Sequence, residues 1–112
     1  MKRHSVTRLV TLFMLPLLML GSARATGEVD ARELVRLVRQ DCGSCHGMTL
    51  QGGLGTPLTA QALAGKPAES LAATILYGRN GTAMPPWKTL LSEAQANWIV
   101  DRLLAGFPEE VR

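Results

Sequence analysis

Cys42-Gly43-Ser44-Cys45-His46 brings two thiols and an imidazole into one short stretch of chain. On a single helical turn the two thiols can add to the two vinyl groups of one porphyrin. The next residue then sets an imidazole under the iron. Cys-x-x-Cys-His is the attachment pattern of c-type haem. The chain has 2 cysteines in all, so no other pair competes for this chemistry.

Three other uses of these residues fit less well. Thiol–disulfide oxidoreductases set Cys-x-x-Cys at a helix start beside a βαβ pattern, and no strand pattern precedes Cys42. A closed zinc site needs four ligands, more than the cysteines and His46 supply. A plain disulfide would leave the adjacent His46 and a later methionine without a role. His46 is the one histidine after residue 25. As a ligand it binds through Nε2, and its Nδ1–H needs an acceptor that fixes the ring.

The sixth ligand must reach the opposite face of the porphyrin. Met48 and Met84 are the methionines that follow residue 25. Met48 lies two residues after His46 and would have to circle the porphyrin edge. Met84 lies 38 residues downstream, beyond a helix that could carry the chain around. Pro85 restricts it to extended backbone. Met84 is therefore the expected ligand, in a His/Met arrangement.

The elements that must position these groups read as helices. Asp30 opens the first, with Glu33 three residues on in a capping-box arrangement. Ala31, Leu34, Val35, Leu37 and Val38 form its apolar stripe, and Arg32, Arg36 and Arg39 are expected on the solvated face. This helix runs into Cys42. Residues 47–66 are loop-like, with Gly47, Gly52, Gly53, Gly55 and Pro57 as punctuation, and a short helical turn at Ala60–Leu63 is possible. Pro67 is placed as the first residue of a second helix, with Leu71, Ile75 and Leu76 on its apolar face and Gly78 after its end. Residues 79–88 form a second irregular loop holding Met84, Pro85, Pro86 and Trp87. Ser92 caps the last helix with Gln95 as its capping-box partner. Ala94, Trp98, Val100, Leu103 and Leu104 form its stripe, and Gly106 and Pro108 end it. The fold class is all-α: three main helices around a covalent haem, with the first and last packed across each other.

Residues 1–25 read as a cleavable secretory signal. Lys2, Arg3, His4 and Arg8 form a positive start, Leu9 to Leu20 an apolar run, and Ala23-Arg24-Ala25 a cleavage signature. The run is shorter than the roughly 20 residues a bilayer needs, and it carries no cysteine for a lipid anchor, so no stable membrane anchor is expected. Residues 26–112 are then one exported, periplasmic domain. Four of the 12 basic residues leave with the signal, and the 8 that remain face 9 acidic ones, a net of about −1. The sequence pI near 9.3 therefore describes the precursor. Nucleic-acid binding, which needs a basic patch or stripe, is not expected. So small a domain often needs a staple for its core. A covalent haem can serve, and it supplies the ring surface that an aromatic content of 4% lacks.

Cys42-Gly-Ser-Cys-His46-Gly, Gly55-Thr-Pro57-Leu58 and Gly81-Thr-Ala-Met84-Pro85-Pro86-Trp87 resemble a class I monohaem cytochrome c over essentially all of residues 26–112. The wording of the two loops is most similar to the NirC-type cytochrome c-55X of denitrifying bacteria. The resemblance implies one covalent haem c, attached by the c-type cytochrome maturation machinery, in a monomer. It implies that the Pro57 carbonyl accepts the His46 N–H, a loop stiffener being the plain alternative. It also brings Trp87 and Arg79 toward the haem propionates, although a packing tryptophan and a solvated arginine explain them equally well. The implied role is a non-enzymatic periplasmic one-electron carrier that donates to a cytochrome-type nitrite reductase. The alternative is a non-catalytic part in maturing that enzyme's special haem. A haem enzyme or sensor would need a displaceable methionine.

Overall fold

The computed structural model describes residues 30–109. The expected signal at 1–25 lies outside the described residues. Among the described residues there are helices and no strand, as the all-α reading requires, and no helix is long and apolar enough to cross a membrane.

Helix α1 (Ala31–Leu37) starts where the Asp30 carboxylate accepts the Arg32 and Glu33 N–H groups, at 3.1 and 3.2 Å. Such a cap satisfies donors that the first helical turn leaves unpaired. The helix then continues through a π-helical segment, Val38–Cys42, into α2 (Gly43–His46). The wider π turn shifts the faces of everything after it. Arg39 is the consequence. It was expected on the solvated face with Arg32 and Arg36, but it is 9% exposed. Its guanidinium donates to the carbonyls of Phe107 and Pro108 and to the Glu109 carboxylate. It also lies 5.5 Å from the centre of the Phe107 ring. Arg39 thus ties the helix that carries the cysteines to the tail behind the last helix.

The possible turn at Ala60–Leu63 is present as α3, capped by the Thr59 hydroxyl. Helix α4 (Ala68–Tyr77) begins one residue later than expected, with Pro67 at the N-cap in extended conformation. Proline has no N–H to give and sits there at no cost. Gly78 ends α4 as read from the sequence. Helix α5 (Glu93–Ala105) carries the full Ser92/Gln95 capping box and stops at Gly106.

The main core joins Leu34 and Val38 to Leu50, Leu63, Leu91, Ile99 and Leu103. The first and last helices therefore meet in one apolar cluster. A second cluster sets Ala72 and Leu76 of α4 against Ala96 and Val100 of α5. Alanines on both faces let these two helices approach closely. The α5 stripe is turned slightly from its sequence reading: Ile99 and Ala96 are buried, Ala94 is exposed and Trp98 is half-covered. Leu50 adopts a left-handed backbone, φ 61°, which costs a non-glycine residue about 1–2 kcal/mol. Burying its side chain to 3% exposure offsets that strain.

Candidate haem site

Cys42, Cys45 and His46 lie on one continuous run of helix, so the turn brings both thiols and the imidazole together as the spacing demands. The cysteines are free thiols, Cys42 half-buried and Cys45 exposed. Burial pushes the Cys42 thiol up to about 11, and the negative charge of Asp41 adds to the rise.

The loop after α2 folds back to cap it. Gly55 N–H donates to the Cys45 carbonyl at 2.7 Å and Gly52 N–H to the His46 carbonyl at 2.8 Å. This return lays Gly55 flat on the imidazole. A Cβ on Gly55 would stand 2.8 Å from both Nδ1 and Cε1 of His46, closer than side-chain atoms approach. The next carbonyl, that of Thr56, lies 2.6 Å from Nδ1. A carbonyl only accepts, so Nδ1 carries the proton and Nε2 keeps its lone pair. That is the tautomer a metal-ligating histidine needs.

This acceptor corrects the expectation for Pro57. The carbonyl that meets His46 belongs to Thr56, one residue earlier, and Pro57 acts on it through the shared peptide bond. The register is set by Leu58, whose N–H donates to the Leu50 carbonyl at 2.8 Å and closes the loop. That pairing depends on a left-handed leucine, which no sequence pattern announces.

Met84 is half-buried in the loop between α4 and α5, whereas Met48 is 62% exposed. The loop is hooked to α4 at both ends. Gly78 N–H donates to the Thr74 carbonyl on departure, and Trp87 and Lys88 N–H groups donate to Ile75 and Leu76 carbonyls on return, at 3.1 and 3.0 Å. Between them Thr82 braces the turn, its hydroxyl donating to the Arg79 carbonyl at 2.7 Å and accepting the Met84 N–H at 3.3 Å. Trp87 packs half-buried on the main core, and Arg79 is exposed.

The donor set fits a c-type haem. Two free thiols share a turn with an imidazole of the correct tautomer. Leu37, Cys42, Leu58, Leu71, Ile75 and Trp87 rest on the core yet stay half-covered by the chain itself. A cleft of about 290 Å³ between Arg39, Leu50, Leu58 and Phe107 contains neither a cysteine nor His46. Gly55 and Thr56 are the contributors that sequence reasoning missed as parts of a site. Gly55 showed only as loop punctuation, and Thr56 only as the residue before Pro57 in the Gly55-Thr-Pro57-Leu58 segment.

A small all-α domain with a Cys-x-x-Cys-His turn and a carbonyl-held histidine is a c-type cytochrome. The family model described as cytochrome c oxidase, cbb3-type, subunit III matches residues 29–101. Cytochrome c55X of Stutzerimonas stutzeri is 50% identical over 108 residues, 96% of each chain. The solved c-type cytochrome NirC superposes with a TM-score of 0.66 at 61% identity, covering 66% of this chain and 87% of that one. The chain belongs to the NirC-like cytochrome c55X family of monohaem cytochromes c, whose cofactor is haem c. It is also 35% identical, over 83% of its length, to 18% of the dihydro-heme d1 dehydrogenase of Pseudomonas aeruginosa. A solved dihydro-heme d1 dehydrogenase, NirN in complex with DHE, superposes with a TM-score of 0.60 at 32% identity, covering 69% of this chain and 17% of that one.

Proposed function

We propose that residues 26–112 form a periplasmic one-electron carrier with a single haem, bound covalently through Cys42 and Cys45 and ligated by His46 and Met84. Its acceptor is a cytochrome-type nitrite reductase. The bound haem supplies a one-electron iron couple. His46 holds its proton at Nδ1 against Thr56 and presents Nε2 as the ligand. Met84 brings a polarizable sulfur on a braced loop, and an iron held by both His46 and Met84 would have no position left for a substrate. The observation that carries the reading is the 2.6 Å contact between His46 Nδ1 and the Thr56 carbonyl. It supports ligation through Nε2, because it puts the imidazole proton on Nδ1.

The docking surface joins Cys42–Ser44 to Pro85–Trp87. Ser44, Pro85 and Pro86 are exposed there, and electron-transfer encounters bury little area, often less than ~1,200 Å². Stopped-flow mixing of the reduced protein with oxidised nitrite reductase tests the acceptor. Oxidation on the timescale of turnover is expected, slowed only modestly by salt because the net charge of residues 26–112 is about −1.

The likeness to one part of a dihydro-haem d1 dehydrogenase favours a second reading. Removing two hydrogens from a dihydro-haem releases two electrons and two protons. A carrier of this type takes one electron at a time, so two molecules would serve each product. Reduction of the oxidised protein by such a dehydrogenase with its substrate, and no oxidation by nitrite reductase, would move the function to maturation of the special haem.

A further inference from the structure

Gly78 ends α4 with φ 68° and ψ −169°, a backbone region that is essentially glycine-only. The conformation alone would make it a helix terminator. Its surroundings ask for more. A Cβ at this position would stand 2.7 Å from the Met84 carbonyl oxygen, 2.8 Å from the Pro85 carbonyl carbon and 2.9 Å from the Pro86 nitrogen. All three are backbone atoms, so no flexible side-chain end can yield. The next residue adds a bond to the same strip: Arg79 N–H donates to the Met84 carbonyl at 3.3 Å. The end of α4 and the Met84–Pro86 backbone therefore lie flush, with the missing side chain of Gly78 as the clearance between them. Pro85 and Pro86 make that strip rigid, so it shifts as a unit rather than bending locally.

We propose that Gly78 is a positioning residue for the methionine ligand, setting how far the Met84 backbone stands from α4 and hence where the sulfur can reach. This rests on the reading of Met84 as the sixth ligand. Gly81 supplies the internal control. It lies in the same loop at φ 76°, but a Cβ there would meet nothing within 4 Å. Alanine at Gly81 incurs only a conformational cost. Alanine at Gly78 incurs that cost and also drives the Met84–Pro86 strip away.

The holoproteins carrying Gly78→Ala, Gly81→Ala and Met84→Ala are compared with wild type by absorption spectrum, carbon monoxide binding and reduction potential. In Gly78→Ala the weak sulfur-to-iron band is expected to fall by at least half, carbon monoxide to bind, and the potential to drop toward that of Met84→Ala. Gly81→Ala is expected to keep the wild-type band and refuse carbon monoxide. A Gly78→Ala protein that loses thermal stability but keeps band and potential overturns the inference alone. A wild-type spectrum without the band, or one that Met84→Ala leaves unchanged, overturns the ligand assignment and this inference with it. Should Gly78→Ala yield no holoprotein, the wild type carries the test by amide hydrogen exchange. Saturating imidazole, which displaces the sulfur, should speed exchange at the Arg79 amide at least tenfold and leave the Gly78 amide, bonded to Thr74 inside α4, unchanged. Equal protection at Arg79 with and without imidazole would show that the sulfur moves independently of this contact, and would overturn the inference.

Discussion

The imidazole of His46 hangs from the Thr56 carbonyl by a 2.6 Å hydrogen bond, with Gly55 pressed flat against the same ring. One short loop thus sets both the tautomer and the tilt of the His46 imidazole. Gly55→Ala forces a Cβ into the ring and pulls Thr56 away. An imidazole that loses its acceptor donates less to iron, which destabilises the ferric form. The reduction potential of Gly55→Ala should therefore rise, as read by voltammetry. An unchanged potential would mean the loop yields without disturbing the bond.

Met84→Ala should abolish the sulfur-to-iron band, open the iron to carbon monoxide and lower the potential, because methionine ligation raises it. Met48→Ala should leave all three unchanged, since Met48 is 62% exposed. Spectra of the two variants recorded side by side decide between the methionines.

Covalent attachment is checked by acid–acetone extraction, which should leave the haem with the polypeptide. Replacing either Cys42 or Cys45 by alanine should leave one thioether, visible as a shifted pyridine-haemochrome spectrum. Haem that extracts freely from the wild type would remove the basis of the site.

Arg39→Met keeps the length of the side chain and deletes its hydrogen bonds to Phe107 and Pro108. Hydrogen bonds from a charged group contribute about 1.5–3 kcal/mol, and a loss of that order is expected in denaturant titration. Glu109→Gln should cost less than about 1 kcal/mol, because this carboxylate is 92% exposed. A similar loss in both variants would make the latch an ion pair rather than a clamp on the tail carbonyls.

Leu103 is 4% exposed and joins α5 to the core it shares with Leu34 and Val38. Leu103→Ala should cost about 2–5 kcal/mol with an unchanged denaturant slope. A loss of a few tenths would place the side chain outside that core.

What could be read from the residues alone was whatever depends on near neighbours. The Cys42–His46 spacing delivers its thiols and imidazole on any helical turn. Asp30, Ser92, Gly78 and Gly106 act within three or four residues, and they mark helix ends where the structure has them. The carrier class followed from the same short-range patterns and from the wording of the loops. What tertiary structure decided depends on residues far apart in the chain. Arg39 turned inward because a π segment changed its face and a tail 68 residues away offered carbonyls. The acceptor for His46 fell to Thr56 rather than Pro57 because Leu50 bends left-handed and pairs with Leu58. Gly78 gained a part in placing Met84 only when the returning loop came to rest against it. Caps, turns and attachment motifs are local and leave a pattern in sequence. The partner of a carbonyl or of a missing Cβ is chosen by packing, and packing leaves none.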